Sequence, residues 1–102
     1  MKQRAVEAVD KEIAKEKAEA LGRTGKRLED ALQALREFDA RGAGPGYDDP
    51  RRRAALVADA VERVTSMLVQ REAQGLRDPK YVFKFYSVPD EVVKRLGIRT
   101  AS

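Results

Sequence analysis

The chain contains no cysteine and no histidine, and its only aromatics are three Tyr and three Phe in 102 residues. Without cysteine there is no disulfide, no thiolate ligand and no sulfur nucleophile. Without histidine there is no imidazole base, and the commonest metal ligand is missing. The hydroxyls of Thr24, Thr65, Thr100, Ser66, Ser87 and Ser102 have no evident activating base. Catalysis would have to rest on carboxylates, Lys, Arg and Tyr alone, and no phosphate-binding loop, dinucleotide glycine motif or other catalytic signature is present. Glu12, Glu16 and Glu19 share helix faces, but with no Glu-x-x-His motif they read as a solvated face. The expectation is a protein that is not an enzyme and holds neither cofactor nor metal.

Long apolar runs are missing as well. None approaches the roughly 18 residues of a membrane span. The first residues, Met1 to Glu7, open on charge, with no apolar stretch of signal-peptide length behind them. These absences predict a soluble, cytoplasmic protein with no membrane partner. An excess of one charge sign is also slight. The net charge is +4; residues 1–41 hold ten basic and nine acidic groups, and residues 42–102 hold eleven and eight. So even a spread argues only weakly for nucleic acid as a partner.

What is abundant is helix-forming. Charged residues make up 37% of the chain and hydrophobics 42%, enough to leave the disordered class. Val6, Val9, Ile13, Ala20, Leu21, Thr24, Leu28, Leu32 and Leu35 recur mostly at steps of three and four, which sets them on one helical face. This predicts helix 1 over about residues 3–40. Its exposed side carries i,i+4 pairs in both orders, Glu7–Lys11 and Glu19–Arg23 among the favourable ones, each worth tenths of a kcal/mol. The glycines and proline of residues 41–49 end it in a loop.

Asp49-Pro50 then reads as an N-cap followed by proline at the first helical position. Helix 2 is predicted over about 50–74, closed by Gly75 as a left-handed cap with Leu76 folding back. Asp78-Pro79 repeats the signal for a short helix over 79–86, although Lys80 to Tyr86 also has high strand propensity. A last short helix over 89–96 is introduced by Ser87 or Val88 and closed by Gly97. The fold class is all-α: a long antiparallel helical hairpin with two short C-terminal helices, in one domain.

Gly22 and Gly25 lie inside helix 1, where each costs about 1 kcal/mol relative to Ala. Close approach of another helix, from the same chain or a second copy, would compensate; a kink or break is the alternative. Lys17 interrupts the seam just before them, its stem able to cover apolar surface. A helix this long cannot hide its own stripe, which predicts a homodimer with Val6, Val9, Ile13, Leu21, Gly22, Gly25, Leu28 and Leu32 as the interface.

Arg51, Arg52 and Arg53 form the densest basic cluster, on a first helical turn where the macrodipole is already positive. They are candidate phosphate contacts, with Asp48 and Asp49 as alternative counter-charges. Tyr81, Phe83, Phe85 and Tyr86, interleaved with Lys80 and Lys84, have the composition of a stacking platform for single strands. A chain this short needs its aromatics inside, so they are expected to pack over the hairpin. The run from Val88 to Thr100 looks like the opening of a helix-turn-helix, but the residues after it leave no room for a recognition helix.

Three stretches carry a resemblance: Leu21-Gly22-Arg23-Thr24-Gly25-Lys26-Arg27-Leu28, Gln70-Arg71-Glu72-Ala73-Gln74-Gly75-Leu76-Arg77-Asp78, and Val88-Pro89 with Leu96-Gly97. Together they resemble a family of short bacterial helical proteins of unknown function. The resemblance brings no activity, cofactor or site, and implies that the glycine waist and the Gln70–Asp78 segment belong to one design. The function expected is a non-catalytic protein–protein interaction module, homodimeric, serving as a small regulator or inhibitor. The alternative is a nucleic-acid-associated protein using the Arg51–Arg53 cluster.

Overall fold

The computed structural model describes residues 2–42 and 49–97, with side chains for 8–42 and 49–97. Four helices follow in order: α1 (Lys2–Arg41), α2 (Pro50–Ala73), α3 (Pro79–Phe85) and α4 (Asp90–Arg95). Among the described residues there is no strand. The segment from Lys80 to Phe85 is helical because Asp78 caps it, its carboxylate accepting from the Lys80 N–H at 3.1 Å. Asp49 does the same for α2, accepting from the Arg51 N–H at 3.0 Å. The expected cap of α4 differs. Pro89, in extended conformation, precedes it with no side-chain cap, and neither Ser87 nor Val88 takes that role.

α1 and α2 run antiparallel, as the pairs Asp39–Arg53 and Thr24–Gln70 require. Leu28, Leu32 and Leu35 of α1 interlock with Val57, Ala60, Val64 and Met67 of α2. Val82, Val88 and Val92, from α3, α4 and the turn between them, close one side of the same cluster. Gly75 (φ 83°) ends α2 with the Leu76 N–H bonded to the Arg71 carbonyl at 2.8 Å, the left-handed cap expected there. Ser87 takes the equivalent position after α3 with φ 52°, and Val88 N–H reaches the Phe83 carbonyl at 2.9 Å. Arg36 of α1 fixes this turn by donating to the Tyr86 carbonyl at 3.2 Å.

Of the aromatics expected to pack over the hairpin, Phe83 and Tyr86 do so and two do not. Tyr81 and Phe85 are 51% and 62% exposed, while Val82 between them is fully buried. α3 is so short that only one face touches the hairpin. Val82, Phe83 and Tyr86 take that face, and Tyr81 and Phe85, four residues apart, share the outer one. The molecule is elongated, 67 × 31 × 18 Å. Its length is that of α1, about 60 Å for 40 residues at 1.5 Å each.

Candidate functional site

α1 outruns its partner. α2 ends at Ala73, and the Gln74 side-chain amide reaches the Lys17 carbonyl at 3.4 Å. From Lys2 to Glu16, roughly 22 Å of helix projects beyond that point. The apolar stripe does not stop with α2. Val9 is 52% exposed and Ile13 43%, on the continuation of the face that α2 covers further along. Val6 lies in the same helix, with its side chain outside the described residues. At the step where α2 ends, Ile13, Glu16, Lys17, Ala20, Gln70, Ala73 and Gln74 surround an open cavity of about 430 Å³. Lys17 stands at its rim, exposed, as a long stem beside apolar surface.

The rest of the expected interface is used by the chain itself. Leu28 and Leu32 are buried against α2, Leu21 is half-buried against the same cluster, and none of them faces outward for a second copy. The two glycines have different roles. A β-carbon at Gly25 would overlap the Tyr86 hydroxyl and touch Met67 Cε at 3.4 Å. At Gly22 it would meet nothing within 4 Å. α1 passes through both without a break. Close packing thus accounts for Gly25, and its partners are Met67 and Tyr86 of the same chain. Nothing in the structure accounts for Gly22. Beside the waist, Thr24 donates its hydroxyl proton to Gln70 Oε1 at 2.7 Å, one polar contact in the apolar seam.

Of the three candidate phosphate contacts, Arg53 is committed elsewhere. It holds Asp39 of α1 with two bonds, 2.8 and 3.1 Å, and Glu91 of α4 with two more, 3.0 and 2.6 Å. These hydrogen bonds hold both carboxyls below the ordinary carboxylate range and push the guanidinium pKa up. The counter-charges are therefore Asp39 and Glu91. Asp48 lies outside the described residues, and Asp49 caps the helix. Sequence reading missed this clamp, although Asp39 and Arg53 are equidistant in sequence from Gly46, the symmetry an antiparallel hairpin imposes. Arg51 and Arg52 remain exposed.

The outer aromatics form a closed stack. Tyr81 and Phe85 lie 5.6 Å apart at 15°, Phe85 meets Tyr86 edge-on at 4.9 Å, and the Arg71 guanidinium sits 4.7 Å from the Tyr81 ring centre. Tyr81 is thus engaged by its own neighbours. Burial, with Glu29 and Tyr81 nearby, pushes the Tyr86 hydroxyl pKa up, so it is a neutral hydroxyl at neutral pH. Among the described residues no group of three or more carboxylates gathers that could hold a metal. No helix among them is long and apolar enough to cross a membrane.

Compared with known protein families, residues 2–102 fit the model of a family of unknown function, DUF6665. This agrees with the resemblance carried by the waist, the Gln70–Asp78 segment and the C-terminal helix. No curated protein and no solved structure matches the chain.

Proposed function

The chain belongs to that family of unknown function, and with no activity to inherit from it we propose that the protein is a non-catalytic, cytoplasmic interaction module that self-associates as a homodimer. Its contact face is the N-terminal overhang of α1. One observation carries the reading: the stripe that α2 buries continues past the end of α2 and stays exposed at Val9 and Ile13. Exposed apolar residues that continue a core seam favour a partner helix over water.

Charge supports a protein partner. The flanks of the stripe mix Asp10, Glu12, Glu16 and Glu19 with Lys11, Lys15 and Lys17, so the face offers no single-sign field to a polyanion or an anionic membrane. The basic cluster is a poorer candidate, since Arg53 already serves two carboxylates. A module that offers contact without chemistry suits a small regulator or inhibitor.

Sedimentation equilibrium tests this. The expected mass is twice the 11.4 kDa of one chain, falling to one chain for Val9→Glu with Ile13→Glu. Because both positions are exposed, the variant should keep the helical content and the hairpin core. A wild-type chain that stays monomeric at high micromolar concentration overturns the reading.

A further inference from the structure

We propose that the outer face of α3 binds a single strand of nucleic acid, with a base stacked on Phe85 and the phosphates running along Lys80 and Lys84. The face shares no residue with the α1 overhang, and the inference stands whether or not the chain self-associates.

Packing decides what α3 shows to water. Val82, Phe83 and Tyr86 turn to the hairpin. At 3.6 residues per turn that leaves Lys80, Lys84, Tyr81 and Phe85, in that order, on the opposite arc, and all four are exposed. The cations thus form one edge of the face and the Phe85 ring the other. Phe85 stays 62% exposed although Tyr81 and Tyr86 both touch it. Tyr81 lies within 15° of parallel to it, and Tyr81 is itself held by Arg71 at 4.7 Å. Phe85 therefore ends a pre-formed stack that one more flat ring would lengthen.

Charge selects the occupant. Residues 79–89 hold two lysines and no carboxylate. Asp78, the nearest acid in sequence, caps α3. Among the described residues no carboxylate forms a salt bridge with Lys80, Lys84 or Arg77. Beyond Phe85, on the α1 side, a polar cavity of about 430 Å³ is lined by Lys26, Glu29, Asp30 and Arg36. Asp30 is held there by Lys26 at 2.9 Å, and Glu29 repels phosphate from that side. A strand would meet cations along one edge, a ring at the crest, and room for the edge of a base beyond it. An acidic peptide or an anionic membrane would answer the lysines, but neither extends a stack of rings. Every base does, and only an unpaired strand leaves the base face free.

Fluorescence anisotropy of a labelled oligo-deoxythymidylate with the full-length chain tests this. Wild type should bind it in preference to a duplex of equal length, and more weakly as salt rises. Lys80→Gln with Lys84→Gln should flatten the slope of log affinity against log salt by about 1.4, at roughly 0.7 for each phosphate contact. Tyr81→Leu with Phe85→Leu keeps apolar bulk and removes both rings, and should weaken binding about fivefold or more. Phe85→Tyr should bind as wild type does. These positions are exposed, so the variants keep the hairpin core. A wild-type chain that fails to bind, or a leucine variant that binds as well as wild type, overturns the inference. So does equal binding of polyglutamate or of phosphatidylserine vesicles, which would make this a face for an acidic chain or a membrane.

Discussion

The Tyr86 hydroxyl rests against the backbone of Gly25, in the space a β-carbon would occupy. This contact joins the middle of α1 to the turn after α3, and Arg36 holds the same turn from one side through the Tyr86 carbonyl. The glycine is therefore a seat for a side chain of its own molecule. Gly25→Ala should gain about 1 kcal/mol of helix propensity, yet lower stability because Tyr86 must move. Only the hydroxyl obstructs; the ring carbon that bears it would lie at an ordinary 3.4 Å. Removing the hydroxyl with Tyr86→Phe should restore the propensity gain. Urea denaturation of the four variants should show a coupling of roughly 0.5–3 kcal/mol, and additive effects would disprove the contact's importance.

Gly22, one turn away, should respond with the opposite sign. It is exposed, helical and open on all sides. Gly22→Ala is expected to stabilise the chain by roughly 0.5–1 kcal/mol, read as a raised denaturation midpoint with unchanged slope. A loss of stability would mean that this position too is packed against something.

Leu28→Ala and Leu32→Ala each empty a fully enclosed place between α1 and α2. The expected loss is about 2–5 kcal/mol, independent of protein concentration. That independence separates them from Val9 and Ile13. If the leucines lay between two copies, their effect would shrink on dilution below the dimer's dissociation constant.

Thr24 and Gln70 form the polar contact of the hairpin seam, and Thr24 is buried. Gln70→Leu alone strands a buried hydroxyl and should cost about 1–3 kcal/mol. Adding Thr24→Val removes the stranded group, and the double variant should recover most of the loss. Equal stability of the single and double variants would show that Thr24 finds another partner.

Much of this architecture was legible in the chain because the cues were local. Asp49-Pro50 and Asp78-Pro79 each place a carboxylate where the first free N–H groups of a helix point, and both caps form. The stripe from Thr24 to Leu35 needed only spacing. What was not legible depended on register and on distant residues. The predicted helix bounds already hold the unequal lengths of α1 and α2, but which residues α2 leaves uncovered, Val9 and Ile13 beyond Lys17, depends on how the two helices register across the loop, which the stripe alone does not announce. Gly25 could be read as a close-approach glycine, but its occupant comes from a residue sixty-odd positions later, held by a turn whose Ser87 adopts a left-handed conformation without the usual glycine. Nearness in sequence offers Arg53 the counter-charges Asp48 and Asp49, whereas its two carboxylates come from other helices.

Arg53 also sets the expected response to acid. Asp39 and Glu91 are held below their ordinary range in the folded chain, chiefly by hydrogen bonds from this guanidinium. A carboxyl depressed by folding contributes stability that is fully present above its unfolded value, near 4, and is lost as pH falls through the folded value. Arg53→Ala should therefore lower the melting temperature at pH 7 and have little effect near pH 2–3. All three side chains are about a third to a half exposed, so the contribution at pH 7 is on the order of 1 kcal/mol. Arg53→Lys should recover only part of it, since an ammonium cannot hold two carboxylates with paired bonds. α4 is joined to the N-terminal end of α2 through Glu91, so Glu91→Gln should also raise hydrogen exchange in residues 90–95 at neutral pH. If wild type and Arg53→Ala lose stability in parallel from pH 7 to pH 3, the clamp is not what acid releases.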